Sequence, residues 1–296
     1  MPTLSTPSLR TQLYQAFHNK MFLITMALMC LLSLCAVYLI VSSRAESLQL
    51  WSEFRVDEQG NPLVTPDIPA GSLYCKWLGG DATTFATAAF YLVAFLACSI
   101  PFSWSLLSER KSGYDGQMVL RCGRLRYYSA KYAAAFLSGA AVVAVPLLLN
   151  FVLTACFIPA FTPEPYAELY YGLTTTYLWN GLFFQHPVLY VLLYILLAGV
   201  MAGAWATLGV SLSFFCRNQF QTIILPYLSL LFFHVLWNSM LSNALRCPVQ
   251  LSPIYFIVPR ELKSSNHPLV IVGWLAAIAL VNLLVVWRKG WRTDVL

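Results

Sequence analysis

Charged side chains are scarce in this sequence of 296 residues, where Asp, Glu, Lys and Arg make up only 10% of the chain. A soluble domain carries roughly 25% charged residues, so this composition excludes an ordinary soluble enzyme or binding module. Hydrophobic residues make up 59% of the sequence, and the mean hydropathy is +0.67. These values predict an all-α, polytopic membrane protein with room for about six crossings and no separate soluble catalytic domain.

Motifs for nucleotide, metal and covalent chemistry are absent as well. The sequence contains no GxxxxGK[ST] phosphate loop, no HExxH, no GxSxG and no GxGxxG. Its eight cysteines include no CxxC pair and its histidines are dispersed, so no set of residues has the spacing of metal ligands. We therefore expect no catalytic residues, no metal site and no cofactor bound by this chain.

The uncharged segments predict six transmembrane helices. Their approximate bounds are 21–43, 84–107, 132–159, 188–215, 220–242 and 268–287. Pro101 predicts a kink in the second of them, near its inner side. Both ends of the chain are basic, which places both termini in the cytoplasm, because Lys and Arg are retained on that side of a bilayer. Most basic residues then fall inside and most acidic residues outside, so the net charge of +6 reflects topology and not binding to nucleic acid.

Three longer segments are predicted to lie outside, at 44–83, 160–187 and 243–267. The middle one contains no Lys or Arg and is rich in tyrosine, which favours an interfacial helix or a re-entrant piece near residues 165–182. A seventh crossing there is the alternative, but an odd number of crossings would separate the two basic termini. Cys75 and Cys247 both lie in these outer segments, so a disulfide between them is compatible with the topology.

Residues 1–20 precede the first crossing and are polar and mildly basic. Leu9, Leu13 and Phe17 recur every four residues, which predicts an amphipathic elbow helix along the inner membrane surface. A disordered tail is the alternative interpretation. We expect no cleavable signal peptide, because the first apolar run begins only after Lys20 and is too long for one.

The six predicted spans contain no Asp, Glu, Lys or Arg, whereas ion-coupled carriers usually place such residues inside the membrane. The polar candidates within the spans include Asn150, His234 and Asn238, which either line a substrate path or join helices through hydrogen bonds. Gly199 and Gly203 form a GxxxG pair in the fourth span. This pair favours close helix packing and is only a weak signal for dimerisation.

The segment from Ser108 to Tyr132 is strongly basic and is predicted to be the first cytoplasmic loop. Asp115 suits the N-cap of a short helix that continues to Cys122, with Met118 and Val119 on its apolar face. A short transverse helix with an apolar face and a basic rim fits anionic headgroups or an acidic groove on a soluble protein. A solvated loop that touches only lipid is the alternative.

This loop also carries a family resemblance. Its characteristic residues are Glu109, Gly113, Arg121, Arg124 and Lys131. Together with six crossings and an amphipathic elbow, they resemble the membrane permease subunit of type-2 ABC exporters, in which the first inner loop carries a coupling helix that docks on the ATP-binding subunit. The resemblance implies a coupling helix at about Asp115 to Cys122. Tyr114 departs from the family pattern, which often has a small residue there.

The resemblance further implies a function. The chain would be a non-catalytic permease in the cell membrane, paired with a second copy or a paralogue and with ABC ATPase subunits that bind the ATP and magnesium. It would export a hydrophobic or amphipathic substrate by alternating access. Two alternatives stay open: a channel or secondary transporter without an ATPase, and a membrane-embedded enzyme that uses His234 and Asn238.

Overall fold

The computed structural model describes residues 7–54, 71–81, 84–163, 178–245, 249–259 and 266–290, and its elements there are helices. In chain order they are α1 Pro7–Phe17, α2 Lys20–Phe54, α3 Phe85–Ala97, α4 Ser105–Lys111, α5 Tyr114–Cys122, α6 Arg124–Ala155, α7 Asn180–Gln185, α8 Pro187–Leu212, α9 Gln219–Leu236, α10 Ser242–Ala244, α11 Pro253–Phe256 and α12 Pro268–Val285. Two π-helical turns, Trp237–Leu241 and Val286–Gly290, extend α9 and α12.

Five helices are long and apolar enough to cross a membrane, as expected of a polytopic membrane protein. They are Lys20–Leu50, Arg124–Ala155, Pro187–Leu212, Gln219–Ala244 and Pro268–Lys289. The all-α fold class is thereby confirmed. Two helices extend beyond the predicted spans. The helix α2 continues to Phe54, past the predicted boundary at residue 43, and α6 begins at Arg124 instead of residue 132.

The second predicted span, 84–107, is not one continuous helix. The helix α3 ends at Ala97 after 13 residues, a series of turns covers residues 98–104, and α4 begins at Ser105. A kink was predicted at Pro101, and the chain breaks there because proline removes a backbone donor and clashes with the preceding turn. Side chains from other elements satisfy the released backbone carbonyls: Asn19 Nδ2 donates to Pro101 O at 3.4 Å, and Ser213 Oγ donates to Ser103 O at 3.0 Å.

The pair of helices α6 and α8 forms the centre of the bundle, and glycine brings the two backbones close together. A Cβ atom at Gly203 would lie 2.6 Å from Phe136 O, and one at Gly139 would lie 2.6 Å from the Cβ of Ala206. Gly199 packs against the same helix α6. The GxxxG pair therefore contributes to packing within the chain, as its small residues predicted.

Some predicted segments fall partly outside the described residues. The interfacial or re-entrant piece near 165–182 and its alternative, a seventh crossing, involve residues 164–177, and residues 55–70 and 82–83 of the outer segment 44–83 are also outside. Residues 44–54 of that segment belong to α2, and residues 71–81 pack into the bundle, where Trp77 is 1% exposed and Leu78 is fully buried. Leu73 N also donates to Pro159 O at 3.1 Å, which joins this segment to the residues that follow α6.

Candidate functional site

A short transverse helix, α5, lies between α4 and α6, where the sequence predicted one. Its N-cap is Gly113, whose φ of 71° lies in the left-handed region, and Gly123 follows its last residue with a φ of 84°. A glycine at each turn allows the chain to reverse direction without the strain that a side chain would cause. The helix therefore crosses the end of the bundle between two sharp glycine turns.

The prediction that Asp115 caps this helix was wrong. The helix begins at Tyr114 because the turn is made by the left-handed Gly113, so Asp115 lies in the first turn. Its Oδ1 accepts a hydrogen bond from Gly116 N at 2.8 Å, and its other carboxylate oxygen lies 3.8 Å from Arg110 Nε. A carboxylate in this position also stabilises the positive end of the helix dipole.

A buried ion pair lies directly behind the transverse helix. Lys131 Nζ donates to Glu109 Oε1 at 2.6 Å and to Gln12 Oε1 at 2.8 Å, and Tyr127 OH donates to the second oxygen of Glu109. The ammonium also lies 4.7 Å from the centre of the Phe102 ring. The Lys131 side chain is 0% exposed and that of Glu109 is 14% exposed. This cluster joins α1, α4 and α6 at one point.

Lys131 therefore lies inside a long apolar helix, although the sequence analysis placed it in the loop. Burial of an ammonium is costly unless the charge is paired and its hydrogen bonds are made. Glu109 and Gln12 provide this pairing from two other helices. The single charge of Lys131 therefore fixes the positions of Glu109 and Gln12 relative to each other.

The N-terminal elbow is helical, as predicted, over Pro7–Phe17. Leu13 and Phe17 pack against the buried cluster that includes Leu106 and Tyr127, while Leu9 is 39% exposed. The elbow helix is thus held against α4 and α6 by apolar contacts as well as by Gln12. Its polar contact and its apolar stripe face the same neighbouring helices.

The apolar face of α5 is directed into the protein. Val119 is 8% exposed and Met118 packs against the same cluster as Leu13, so these two residues hold α5 on the bundle. The outward side instead presents Leu120, which is 78% exposed, and Tyr114, which is 37% exposed. Both were missed as candidate contact residues.

The outward surface of α5 is basic around these apolar residues. Arg121 and Lys111 are exposed, and Arg124 is half-buried at the start of α6. Arg110 points the other way: its guanidinium lies 5.0 Å from the centre of the Phe214 ring and donates to Ser213 O at 3.4 Å. The exposed Leu120 therefore directly precedes the exposed Arg121 on this helix.

The predicted substrate-path residue Asn150 is fully buried. Its Oδ1 accepts a hydrogen bond from Leu78 N at 2.8 Å, and its Nδ2 donates to Ser33 O at 3.1 Å. One amide thus connects α2, α6 and the segment 71–81. Asn150 therefore joins helices through hydrogen bonds, which is the second of the two roles predicted for these residues. A contribution of Asn150 to a substrate path stays a prediction.

His234 and Asn238 belong to a different hydrogen-bonded group. His234 Nδ1 shares a hydrogen bond of 2.6 Å with Ser252 Oγ, and Asn238 Nδ2 donates to His234 O at 2.9 Å. Gln250 Nε2 donates to Asn238 Oδ1 at 3.2 Å. The two residues connect the segment 249–259 to α9. None of these hydrogen bonds joins them to Asn150. Their part in a substrate path is untested.

The remaining site predictions concern cysteines and metals. Cys75 is buried in the segment 71–81, and Cys247 lies outside the described residues, so the predicted disulfide stays a prediction. Within the described ranges, no group of three or more His, Cys, Asp or Glu residues is close enough together to hold a metal ion.

Comparison with protein-family models, with curated proteins and with solved structures finds no match to this chain. Sequence and structure together describe an all-α protein with five long apolar helices, a short basic transverse helix, and a buried ion pair that joins α1, α4 and α6.

Proposed function

We propose that this chain is the membrane permease subunit of a type-2 ABC transporter that exports a hydrophobic or amphipathic substrate. The observation that carries the proposal is the helix α5, which crosses the end of the bundle and presents Leu120 among exposed cations. Its inner face is held on the bundle by Val119 and Met118, which pack against the buried cluster that includes Leu106 and Tyr127. ATP and magnesium would be bound by a separate ATPase subunit, and this chain would contribute no catalytic residue.

The proposed topology has six crossings with both termini in the cytoplasm. The interrupted pair α3 and α4, residues 85–111, counts as the second crossing beside the five long helices. Support comes from the contacts at one end of the bundle, where Leu13 of α1, Met118 of α5 and Val286 after α12 pack against the same buried cluster. We call this the basic end. The start of the chain, the transverse helix and the last long helix meet there, which supports an even number of crossings.

The proposed mechanism transmits a movement of the ATPase through α5. A partner seated on Leu120 and Arg121 would push or pull α5, and Val119 and Glu109 would carry the displacement to α4 and α6. Because Lys131 binds Gln12 as well as Glu109, the elbow helix would move with them. Nucleotide-driven closure of two ATPase subunits would thereby rock this bundle against a second copy or a paralogue, between inward-open and outward-open states.

The test is co-purification of the ATPase from native membranes with tagged variants of this chain. The variant Leu120→Arg with Arg121→Glu should lose the co-purified ATPase and its substrate-stimulated hydrolysis, because it replaces the apolar contact and reverses a charge on the outward side. Charge reversal at Arg121 and Arg124 should likewise abolish the stimulation without affecting membrane insertion.

Tyr14→Arg is the matched control, since Tyr14 is 64% exposed on α1 at the same end of the bundle. It should leave co-purification unchanged. An ATPase that stays bound and stimulated in the Leu120 and Arg121 variant would contradict the proposal.

A second candidate function is favoured by the buried pair itself. Ionisable residues inside a membrane helix often mark a proton or ion pathway, and Lys131 is fully buried within α6. A secondary transporter that uses this pair would work without an ATPase. Uptake or efflux driven by a proton gradient, with the chain purified alone in liposomes, would favour this candidate over the first.

A further inference from the structure

A ring of hydrogen-bonded side chains joins α9 to the segment 249–259, far from the basic end of the bundle. His234, the member of the ring that can change its charge, lies about 22 Å along the helix axis from Gln219, the first residue of α9. The π-helical turn Trp237–Leu241 follows directly and contains Asn238, a second member. Turns of this kind are frequent at functional sites.

Backbone groups fix the orientation of both side-chain amides in this ring. Ser252 N donates to Gln250 Oε1 at 3.1 Å, so the Nε2 of Gln250 faces α9 and donates to Asn238 Oδ1 at 3.2 Å. Asn238 Nδ2 in turn donates to His234 O at 2.9 Å. A backbone N–H can only donate and a carbonyl can only accept, so neither amide can be reversed without the loss of a hydrogen bond.

These orientations also fix the proton on the imidazole. Asn238 Nδ2 lies 3.4 Å from His234 Nδ1, and an amide nitrogen can only donate, so Nδ1 must accept. Ser252 Oγ lies 2.6 Å from the same nitrogen and must donate to it as well. The ring therefore fits a neutral histidine with its hydrogen on Nε2.

Protonation of His234 would break this arrangement. A hydrogen on Nδ1 would face the donor of Asn238, and the hydroxyl hydrogen of Ser252 would lose the acceptor that it has in the ring. Ser252 is fully buried, and no other hydrogen bond of its Oγ occurs among the described residues. A buried donor left without a partner is costly, so the charged histidine opposes the closed ring.

The surroundings of His234 offer no charge that would compensate. The elements packed around this part of α9 are α3, α8, α12 and the segment 249–259, and they and α9 contain no Asp, Glu, Lys or Arg. The titratable side chain that faces His234 is Tyr255, whose ring centre lies 4.8 Å away. The other titratable side chains of these elements are Tyr91, Tyr190, Tyr194 and Tyr227. A tyrosine is neutral between pH 5 and pH 8, so none of these groups supplies a negative charge.

We propose that His234 is a proton-sensitive connection between α9 and the segment 249–259, closed when the imidazole is neutral and open when it is protonated. The opening is local, because Trp274 Nε1 donates to Leu251 O at 3.0 Å and Tyr190 OH donates to Pro259 O at 2.8 Å, and neither bond depends on the histidine. Histidine changes its charge between pH 5 and pH 8, so mild acid opens the connection. The inference does not rest on the proposed ATPase partner.

The test is amide hydrogen exchange of the purified full chain in a neutral detergent at pH 8 and at pH 5, with each rate divided by the intrinsic rate at that pH. The peptides to follow cover residues 249–259, because Ser252 N is itself a donor in the ring. We expect their corrected exchange to be about tenfold faster at pH 5, as the loss of a buried hydrogen bond predicts.

Two histidine variants show whether His234 is responsible. His234→Asn keeps an acceptor oxygen near the position of Nδ1 and cannot be protonated, so it should exchange equally slowly at both pH values. His186→Asn is the matched control, since His186 is exposed just before α8 and has no part in the ring. It should keep the full response to acid.

Equal corrected exchange of the wild-type chain at the two pH values would overturn the proposal, and so would a response to acid that persists in His234→Asn. Ser252→Ala gives an independent result if His234→Asn does not fold. It removes the hydroxyl that closes the ring, so residues 249–259 should exchange fast at both pH values. Slow exchange of Ser252→Ala at pH 8, with a full response to acid, would also contradict the proposal.

Discussion

The ion pair of Lys131 and Glu109 gives the sharpest prediction about stability. The perturbation is a double-mutant cycle made of Glu109→Leu, Lys131→Met and the variant with both substitutions. Glu109→Leu leaves a fully buried ammonium with only Gln12 as a hydrogen-bond partner, since its two protein acceptors are Glu109 and Gln12. We expect this variant to lose about 3–5 kcal/mol of the free energy of unfolding, the usual cost of an uncompensated buried charge.

Lys131→Met should cost less. Glu109 is 14% exposed and keeps the hydrogen bond from Tyr127, so its carboxylate is partly solvated without the lysine. We expect a loss of about 1–3 kcal/mol. The double variant contains no unpaired charge at this position, so it should cost about 2–3 kcal/mol less than the sum of the two single variants.

The assay is reversible unfolding by SDS in mixed micelles, followed by the fluorescence of the nine tryptophans. Lys111→Met is the control for removal of a positive charge, because Lys111 is exposed on the neighbouring helix, and it should change the free energy by less than about 0.5 kcal/mol. Additive single effects would refute the reasoning, since they would show that the two charges do not compensate each other. A larger cost for Lys131→Met than for Glu109→Leu would refute the assignment of lysine as the more deeply buried partner.

Three further substitutions test the packing by the same unfolding assay. Gly203→Ala should lower the free energy of unfolding by about 1–3 kcal/mol, because its Cβ would meet a carbonyl oxygen at 2.6 Å. Gly273→Ala is the control and should be neutral or stabilising, because nothing lies within 4 Å of a Cβ there. Equal effects of the two substitutions would contradict the close approach of the helices. Asn150→Ala should cost about 1–3 kcal/mol because it leaves the buried backbone amide of Leu78 unpaired and removes a side-chain hydrogen bond to Ser33 O, while the exposed Val152→Ala should change little. Gly113→Ala should cost about 1 kcal/mol from its positive φ alone, since its surroundings are open, and no loss would show that the turn relaxes.

The long helices could be predicted from the sequence because hydrophobic runs of this length usually form α-helices in a membrane. Five of the six predicted spans correspond to long apolar helices, and the short helix between α4 and α6 also lies where the basic loop predicted it. The small residues Gly199 and Gly203 correctly predicted a close approach of helices. Local patterns were sufficient in these cases because each feature depends on residues that are neighbours in the sequence.

The features that the sequence did not predict depend on partners far away in the chain. Lys131 was assigned to a loop because a lysine normally ends a span, and its burial depends on Gln12, 119 residues earlier. The face of α5 was assigned outward because Val119 and Met118 form the obvious apolar pair. Leu120, one residue further on, is the exposed position, and no local signal distinguishes the two sides of so short a helix.

The break between α3 and α4 was predicted only as a kink. Pro101 predicted a disturbance, but its extent depends on whether other elements can bind the released backbone groups. Ser213 and Asn19 do so, and Gly209 makes room, since a Cβ there would lie 2.5 Å from the Cβ of Ser103. A span can be fully interrupted where neighbouring side chains replace the missing helical bonds.

The break between α3 and α4 has a consequence for the order of events during synthesis. With 13 residues, α3 is about 20 Å long, well short of the roughly 30 Å hydrocarbon core, so it cannot be threaded through a bilayer as a self-sufficient unit. Ser103 donates to the carbonyl of a residue 103 positions later, and its own carbonyl binds Ser213, 110 positions later. While the ribosome is still translating those residues, the segment of α3 and α4 has no such partners, so we expect it to reach its final position only after α8 has emerged.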